Sequence, residues 1–423
     1  MFNKTSLTSV AEAQQQIMST ASCTLTTELV PLFHARGRVL SAPVVSAVAV
    51  PPADNSAMDG YALCQEDLQL DIIPVSQRIA AGQVPSALVA HTCARVFTGA
   101  EVPDNADMVV IQEDVDLVDG GIRIQPSALA QGQKTGQFIR LKGQDVTAGQ
   151  QVCDKGTKLE ARHLGVLASM GIEQVEVYRR LKVAIASTGS ELVNPGQALK
   201  AGQIYNSNRF LLAGLIDQLG MELVDMGIIT DERPTTESAL ALAADQADII
   251  ITSGGVSEGE EDHVKGAVDT LGQLEVWKLA IKPGKPLAFG RVKQTPIFGL
   301  PGNPASVLVT FIVMARPFLL ALQGCSHTQG QSLSARLINP PQKSSIREEY
   351  FRVRLLENNQ AGIVLEAMTN QNSGVLTTAM KGDGLAIVKA NTCGEAAQQV
   401  EFLPYASYGV WVMLMNQVIA WRA

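Results

Sequence analysis

Residues 249–263 read IIITSGGVSEGEEDH, an apolar β-branched run that breaks into glycines, a serine and a group of acids. A short apolar run that ends in glycines predicts a buried strand followed by a loop. Residues 255–259, GVSEG, match the G-x-S-x-G pattern of a hydrolase nucleophile elbow. The same letters suit a glycine-rich loop that holds phosphate. The stretch therefore leaves two interpretations open, a nucleophilic serine and an anion-binding loop.

The segments on either side extend this strand into a regular β/α pattern. Further apolar runs that predict strands are LKVAIAS from Leu181, MELVDMGII from Met221 and TPIFGL from Thr295. Between them, SNRFLLAGLIDQLG predicts a helix that ends at Gly220, and TTESALALAADQA predicts a second helix. Continuous apolar strands that alternate with helices indicate a parallel sheet covered on both faces, which is a three-layer α/β domain.

The rest of the chain predicts further modules around this central α/β domain. The 423 residues are 46% hydrophobic and 17% charged, which is a globular composition with enough chain for several cores. Short alternating strands with Gly, Pro and Asp turns predict a β-rich module before the α/β domain and a β-barrel-like domain after it. The predicted domains are a mixed α/β linker domain at 1–45 and 135–178, the β-rich module at 46–134, the α/β domain at 179–324 and the C-terminal β domain at 325–423.

Composition and local patterns argue against several classes of protein. The formal net charge of −8 argues against a nucleic-acid binder, which presents a basic face. Six cysteines lie far apart without a C-x-x-C pair, which favours reduced thiols in a cytoplasmic protein over a zinc site or disulfides. The first residues lack the apolar core of a signal peptide. Arg316 and Pro317 interrupt the long apolar segment from Ser306, so we expect a buried helix and not a membrane span.

Each predicted strand of the α/β domain is followed by small, hydroxylic or acidic residues. Because ligands of an open α/β sheet bind beyond the carboxyl ends of its strands, we expect these segments to meet at one edge. Lys278, Lys282 and Lys285 precede the last strand and add positive charge. The four segments are TGSE at 188–191, TDE at 230–232, SGGVSEGEED at 253–262 and PGNPAS at 301–306.

This edge suits a phosphorylated ligand together with a divalent cation. Glycine amides and the helix N-terminus at Asn303 or Ser306 favour phosphate oxygens, and lysines neutralise anions. The carboxylates alone would repel each other, by about 4 kcal/mol for a pair about 4 Å apart at an effective dielectric near 20. Mg²⁺ reverses that sign, because it binds one or two carboxylates together with phosphates and water. For any single acid such as Glu260, the plainer interpretation is a solvated first-turn residue worth about 0.3–1 kcal/mol.

The elbow interpretation fits the sequence less well. A nucleophile elbow places its serine directly after the strand, whereas residues 253–256 stand between Thr252 and Ser257. The order of a hydrolase triad would require an acid and a histidine such as Asp269 and His327, and no HGGG-type oxyanion loop occurs in the sequence. A serine hydrolase that uses Ser257 is kept as an alternative from a different class.

Long and unusual blocks occur in order along the whole chain, beginning with PPADNSAMDGY at residues 51–61. The others are FTGAEVPDNADMVVIQE, STGSEL, GQIYNSN, ITSGGVSEGEEDHVK, KLAIKPGKPLAFG, FGLPGNPAS and EYFRVRL. Together these blocks resemble the molybdopterin molybdenumtransferase family, which includes bacterial MoeA and the E domain of gephyrin. Their length makes the resemblance more specific than any short motif.

The resemblance implies a reaction and an assembly. Adenylylated molybdopterin and molybdate would be converted into molybdenum cofactor and AMP, with Mg²⁺ assisting. The protein would be an elongated homodimer of four-domain subunits that dimerises through the linker domain. Its active site would lie between the α/β domain of one subunit and the β-rich module of the other. The adenylyltransferase of the preceding step is a further candidate partner, and no nucleic acid or membrane is expected.

The resemblance also assigns roles to matching positions. Asp59 would act across the subunit interface, although an Asp-Gly pair is also an ordinary turn. Arg352 would contact an oxyanion, with Arg347 as a nearby competitor and Arg354 as a competitor on the same strand face. The implied catalytic residues are Asp59, Asp231, Asp262, Lys282 and Lys285; the substrate-binding residues are Thr98, Glu191, Ser257, Lys278, Pro301, Pro304, Ser306, Arg352 and Ser373; the Mg²⁺ ligands are Glu191, Asp231 and Asp262.

Three residues depart from the family pattern. Glu258 replaces a small or apolar residue, His263 stands where an aromatic residue is common, and Asn372 stands where glycine is usual.

Two related functions also stay open. The extra modules argue against an activity like that of molybdopterin adenylyltransferases, which are typically the α/β domain alone. The retained acids and lysines argue against a non-catalytic scaffold like gephyrin.

Overall fold

The computed structural model describes residues 7–130, 132–256, 263–359 and 362–408. Within these ranges the predicted fold class is confirmed: a central three-layer α/β domain stands with a β-rich module, a mixed α/β linker region and a C-terminal β-barrel. The boundaries given above for the four domains stay predictions.

The N-terminal part begins with a capped helix. Ser9 precedes helix α1 (Val10–Ser19) and its Oγ accepts a hydrogen bond from the Glu12 amide at 3.2 Å. Glu12 Oε2 in turn accepts one from the Ser9 amide at 3.2 Å, so the two residues form a reciprocal capping box. Strands β1 (Thr27–Pro31) and β2 (Val44–Val45) follow, with a 3₁₀ turn at Leu32–His34 between them.

The β-rich module is built from short strands and tight turns. Its elements are β3 (Asn55–Ser56), β4 (Gly60–Leu63), a 3₁₀ turn (Gln65–Gln69), β5 (Val75–Ile79), β6 (Cys93–Val96), β7 (Met108–Ile111), a 3₁₀ turn (Gln112–Asp114), β8 (Val115–Val118), β9 (Gly121–Ile124) and α2 (Pro126–Ala130). Four strands form a sheet in the order β5-β6-β4-β7, and β8 pairs with β9 as a hairpin.

After the β-rich module, the chain returns to the linker region that its N-terminal part began. The returning elements are β10 (Ile139–Arg140), β11 (Gln151–Cys153), α3 (Ala161–Ser169) and β12 (Gln174–Tyr178). Strand β12 pairs antiparallel with β1, β11 with β2, and β10 with β3. The two ends of the β-rich insertion are therefore held side by side by main-chain hydrogen bonds.

The central domain contains a six-stranded sheet with helices on both faces. Its elements are β13 (Lys182–Thr188), β14 (Leu192–Val193), β15 (Ile204–Tyr205), α4 (Ser207–Leu219), β16 (Glu222–Ile229), α5 (Arg233–Gln246), β17 (Ile249–Ser253), α6 (His263–Leu271), β18 (Gly272–Lys278), β19 (Ile281–Lys282), β20 (Pro286–Val292), β21 (Thr295–Leu300), α7 (Pro304–Thr310), a π-helical turn (Phe311–Ala315) and α8 (Arg316–Leu322). The strand order is β16-β13-β17-β21-β20-β18. The first four strands are parallel, as predicted, while β20 and β18 add an antiparallel edge that the sequence analysis did not predict.

Strand β17 shows why this sheet needs continuous apolar strands. Ile249 and Ile251 pack into a core formed with α4, α7 and α8 on one face. Ile250 packs into a second core, formed with α5 and α6 on the other face. Successive side chains of a strand point to opposite faces, so a strand covered on both sides requires an apolar residue at every position.

The helical segment that follows β21 is buried. Pro304–Leu322 has a mean hydropathy of 2.1 and is long enough to cross a membrane by length and composition alone, but 94% of its most apolar 18-residue window lies inside the fold. The prediction of a buried helix is confirmed. Pro317 cannot donate a main-chain hydrogen bond to Val313, and Gln14 of α1 supplies a donor instead: its Nε2 lies 2.7 Å from the Val313 oxygen.

The C-terminal domain is a closed five-stranded barrel. Its elements are β22 (Leu333–Leu337), β23 (Glu348–Asn359), β24 (Gly362–Ala367), α9 (Thr377–Lys381), β25 (Gly384–Val388), a 3₁₀ turn (Gly394–Ala397), β26 (Gln399–Pro404) and a final 3₁₀ turn (Tyr405–Tyr408). The order β23-β24-β22-β26-β25 closes because β25 also pairs with β23. Strand β19 of the central domain adds to β23 as a sixth, parallel strand.

Replacing Gln14 by Met is expected to destabilise the protein by about 1–3 kcal/mol, because the Val313 carbonyl is left inside the fold without its donor. The measurement is urea unfolding followed by circular dichroism. Gln15→Met is the matched control, since Gln15 is the next residue of α1 and its side chain is exposed. Equal loss of stability in both variants would contradict a specific role for Gln14.

Candidate functional site

The four parallel strands end at one cavity of about 780 Å³. Thr188 at the end of β13, Asp231 after β16, Ser253 at the end of β17 and Pro301 after β21 all line it. The predicted convergence of the four strand ends is therefore confirmed. The cavity extends beyond the α/β domain, because Arg347 and residues 371–373 of the barrel domain form part of its wall.

Two glycines let the loop after β17 pack closely against the end of β13. Gly254 has φ +91°, and a Cβ placed there would lie 2.8 Å from the Thr188 main-chain oxygen. Gly255 has φ +68°, and its Cβ would lie 2.6 Å from Val264 Cγ2. Both positions need a residue without a Cβ, for backbone conformation and for space. Gly254 and Gly255 therefore allow the loop to pack closely at the cavity.

Carboxylates and a hydroxyl group occupy one side of the cavity. Asp231 Oδ2 accepts a hydrogen bond from the Ser190 amide at 2.7 Å, which orients the carboxylate. Glu191 lines the same wall with an exposed side chain. The buried Thr188 hydroxyl has no hydrogen-bond partner within the part of the chain that the structure describes. These oxygens are available to a bound ligand or cation.

Cationic side chains come from the other end of the sheet, since Lys285 precedes β20 whereas the carboxylates follow β13 and β16. Lys282 and Lys285 line the cavity with exposed side chains, and Arg347 reaches it from the barrel domain. Lys282 forms an ion pair with Glu349, whose side chain is only 6% exposed. Among the described lining residues, three cations and two carboxylates give a net charge of 3 − 2 = +1 before Glu349 is counted. An anionic ligand is therefore favoured on the lysine side.

Arg352 does not line the cavity, although its assigned role is an oxyanion contact. Its side chain is fully buried, and burial lowers the pKa of its guanidinium. Nη2 donates to the main-chain oxygens of Asn370 at 3.2 Å and Asn372 at 3.0 Å, and Nε donates to Thr378 Oγ1 at 3.2 Å. Arg352 thus holds the loop that carries Ser373 and stands behind the cavity wall.

The loop of residues 370–373 is fixed from both sides. The Gln371 side chain exchanges hydrogen bonds with the Arg352 main chain at 3.0 and 2.8 Å. The Ser373 oxygen accepts from the Ala305 amide of α7 at 3.0 Å. Asn372 Oδ1 accepts from the Gly374 amide at 2.9 Å, so asparagine makes its own turn where the family usually has glycine. The Ser373 position at the cavity is consequently well defined.

The two competitors for Arg352 have different environments. Arg347 lines the cavity, and its Nη1 lies 3.5 Å from the Ile281 oxygen. Arg354 is exposed although it is two residues from the buried Arg352. The reason is that β23 pairs with β25 up to Val353 and with β24 from Val353 onward, so the covering elements change between the two arginines.

The start of α7 also contributes to the cavity. Pro301, Asn303 and Ser306 line it, whereas Pro304 stands at the first helical position and is half-buried outside the lining. Proline is well suited to that position, because its fixed φ is helical and its missing N–H would have no partner there. Lys278, at the end of β18, also lies outside the cavity lining.

Asp59 and Thr98 form a separate pair in the β-rich module. The Thr98 amide and hydroxyl donate to Asp59 Oδ1 at 2.8 and 3.0 Å. These two hydrogen bonds, with a smaller contribution from the charge of Arg95, hold the pKa of the Asp59 carboxyl below its usual value. Neither residue belongs to the described lining of the cavity.

Two predicted residues, Ser257 and Asp262, lie outside the described residues, as does Glu258. Among the residues that the structure describes, no three His, Cys, Asp or Glu side chains group in a way that could hold a metal ion. The two carboxylates at the cavity nevertheless have the chemistry that Mg²⁺ selects, since this ion uses one or two carboxylates together with phosphate oxygens and water.

The serine hydrolase alternative is not supported, because its candidate histidine lies away from the sheet-edge cavity. His327, the candidate base, lines a different cavity, and the described lining of the sheet-edge cavity contains no histidine.

The cavity wall also contains Gln371 and Gly284, which were not predicted from the sequence. No local pattern marks Gln371, because its place depends on the hydrogen bonds to Arg352.

Three consecutive parts of the chain match known protein families. Residues 8–171 match the family described as MoeA N-terminal region (domain I and II), residues 184–321 match a probable molybdopterin binding domain, and residues 334–405 match the MoeA C-terminal region (domain IV). The molybdopterin molybdenumtransferase of Haemophilus influenzae is 36% identical over 366 residues, covering 86% of this chain and 90% of that protein. The molybdopterin molybdenumtransferase of a Nostoc species is 40% identical over 309 residues, covering 70% of each.

A solved structure supports the same grouping. The crystal structure of the molybdopterin biosynthesis moeA protein from Pyrococcus horikoshii has a TM-score of 0.80 at 26% identity, covering 95% of this chain and 100% of that one. The likeness therefore extends over all four modules and is not limited to the α/β domain.

Arg352→Ala is expected to loosen the loop of residues 370–373 and to cost at least about 2 kcal/mol of stability, because buried charge-assisted hydrogen bonds are lost. Hydrogen–deuterium exchange at residues 370–376 should rise in this variant. Arg347→Ala and Arg354→Ala are the controls, and both should leave exchange there close to wild type. Unchanged exchange in Arg352→Ala would contradict the positioning role.

Proposed function

Because the chain belongs to the molybdopterin molybdenumtransferase family, we propose that it inserts molybdate into adenylylated molybdopterin and yields molybdenum cofactor and AMP. The family membership predicted from the sequence is confirmed, and with it a transferase of molybdenum cofactor biosynthesis. The adenylylated form of the substrate, the release of AMP and the use of Mg²⁺ are the parts that go beyond the family assignment.

The observation that carries the proposal is the meeting of two charge types in one cavity. Lys285, Lys282 and Arg347 offer positive charge on one wall, and Glu191 and Asp231 offer oxygen ligands on the other. A tetrahedral dianion such as molybdate suits the first wall, because lysine and arginine bind anions through several N–H donors. A phosphoanhydride suits the space between both walls.

On the cationic wall, we assign molybdate to Lys285, Lys282, Arg347 and the Ser373 loop. Arg352 acts through that loop, which it holds by two main-chain oxygens. The Lys282–Glu349 ion pair fixes one end of the arrangement, since Glu349 is buried in the barrel domain. The Ser257 hydroxyl, assigned to the same oxyanion, lies outside the described residues.

On the acidic wall, Glu191 and Asp231, with Asp262, would hold Mg²⁺. When bound, Mg²⁺ polarises a phosphoanhydride and neutralises the charge that develops as the link to AMP breaks. The Ser190 amide keeps Asp231 oriented for this role. The glycines after β17 allow main-chain amides to approach phosphate oxygens closely.

We also propose that the active unit is a homodimer. Asp59 and Thr98 belong to the family pattern, yet in one subunit they do not line the cavity. Thr98 keeps the Asp59 carboxyl ionised, which suits a role beside a metal or a water molecule. A second copy that brings its β-rich module to the cavity would complete the site. We further propose a cytoplasmic location, which the six free cysteines support.

Asp231→Asn and Lys285→Met are expected to lower AMP release by about 100-fold or more, since each removes a charge that would contact the reacting groups. The measurement is AMP formed from adenylylated molybdopterin with molybdate and Mg²⁺. The neighbouring Glu232→Gln is the matched control for Asp231, because Glu232 does not line the cavity. Near wild-type turnover in Asp231→Asn would overturn the metal role assigned to it.

Mixing two inactive variants tests the shared site. If Asp59 of one subunit serves the cavity of the other, Asp59→Asn mixed in equal amount with Lys285→Met should recover about a quarter of wild-type activity, because about half of all dimers are then mixed dimers and each mixed dimer holds one intact site of two. Each variant alone should stay inactive. Failure to recover activity, when mixed dimers are shown to form, would place Asp59 in the same subunit or outside the site.

A further inference from the structure

A second large cavity lies away from the site described above. Its volume is about 1100 Å³, and it shares no described lining residue with the sheet-edge cavity. Most of its lining comes from the linker region, at residues 36–37 and 156–163, and from the central domain, at residues 218–220, Arg316 and Leu320; residues 325–327 and Ser407 complete it. The cavity therefore stands at the junction of the two domains.

This cavity is strongly basic, although the protein is acidic. Four basic side chains line it, Arg36, Lys158, Arg162 and Arg316, and Glu160 is the single acid among the described lining residues. The lining thus carries 4 − 1 = +3 with neutral histidines, against −8 for the whole chain. Such a local reversal of sign concentrates anions, even on a protein with a negative overall charge.

Lys158 shows that the positive charges lie close together. Its Nζ donates to the Leu219 oxygen at 2.8 Å. Its pKa is lowered, chiefly by burial; the charges of Arg316 and Arg180 act in the same direction, and those of Cys325 and Glu160 oppose it. Burial raises the pKa of the Cys325 thiol to about 11, so at neutral pH that thiol brings no negative charge. A bound anion would relieve the repulsion among these positive side chains.

The first turn of α3 faces the same space. Residues 160–163 all line the cavity, and α3 continues for nine residues from Ala161. The Glu160 amide donates to His163 Nδ1 at 2.9 Å. The N-terminal end of a helix carries partial positive charge, which adds to the charge of the side chains around it.

A plainer role explains only part of this set. Lys158 and Arg180 donate to the Leu219 and Gly220 oxygens, at 2.8 Å each, and so cap the carboxyl end of α4. That role does not account for Arg36 and Arg162, whose side chains are exposed, although Arg162 also pairs with Glu160 at 3.0 Å. Three arginines and a lysine against this single acid, around a cavity larger than the first, favour an anionic occupant.

We propose that this second cavity binds a small molecule that carries two or more phosphoryl groups. Guanidinium groups pair with phosphate oxygens through two parallel N–H donors, and three arginines are present. A net charge of +3 matches a diphosphate better than a single carboxylate. Because its walls come from two domains, the bound anion would tie the linker region to the central domain.

The test measures binding of inorganic pyrophosphate to the full chain by calorimetry at low ionic strength. Lys285→Met serves as the background, because it weakens anion binding at the sheet-edge cavity and leaves the second cavity intact. In that background, pyrophosphate should still bind. Adding Arg36→Gln and Arg162→Gln should weaken that binding about tenfold or more. These two arginines are exposed, so the variant is expected to fold.

The matched control is Arg336→Gln with Arg291→Gln, two exposed arginines elsewhere, which changes the net charge equally. This control should bind pyrophosphate as the background does. The proposal is overturned if the background protein binds no pyrophosphate, or if both arginine pairs weaken binding equally. Binding of polyglutamate but not of pyrophosphate would also overturn it, because the surface would then recognise an acidic polypeptide.

Discussion

The rest of the site depends on a parallel pairing only two residues long. Strand β19 sets Ile281 opposite Glu348 and Lys282 opposite Glu349, and the Lys282–Glu349 ion pair reinforces the contact. This pairing fixes the barrel domain against the central domain. It thereby brings Arg347, just before β23, and the loop held by Arg352 to the edge of a sheet that belongs to another domain. Neither domain would form the cavity alone.

The parallel core of the sheet could be predicted because each strand carries its own signal. A strand buried on both faces must be apolar throughout, as residues 249–251 are, and the chain is punctuated by glycines at its end. The antiparallel edge lacked such a signal. Strands β20 and β21 are joined by Lys293 and Gln294, without glycine or asparagine, and Lys293 itself takes φ +53°. A hairpin turn in which a lysine adopts a positive φ lacks the glycine or asparagine by which such turns are usually predicted from a sequence.

The candidate site shows the same division between local and distant information. The polar residues after four strands could be found because a parallel sheet places all carboxyl ends at one edge. The burial of the Arg352 side chain could not be predicted. The alternation along a strand tells on which face a side chain lies, but not which element covers that face. Strand β23 changes partners at Val353, which buries one arginine and exposes the other. Likewise, nothing local shows that Asp59 lies away from the cavity.

The hydrogen bond from Gln14 to Val313 joins residues 299 positions apart. Helix α1 also buries Val10, Ala13 and Ile17 in the core of the central domain. During synthesis this helix leaves the ribosome long before its partner, which emerges only after the whole β-rich module and most of the α/β sheet. The central domain can therefore complete its core only late in translation, and the first helix must stay uncommitted until then. Long-range closure of this kind favours slow folding and makes the nascent N-terminus a natural client for chaperones.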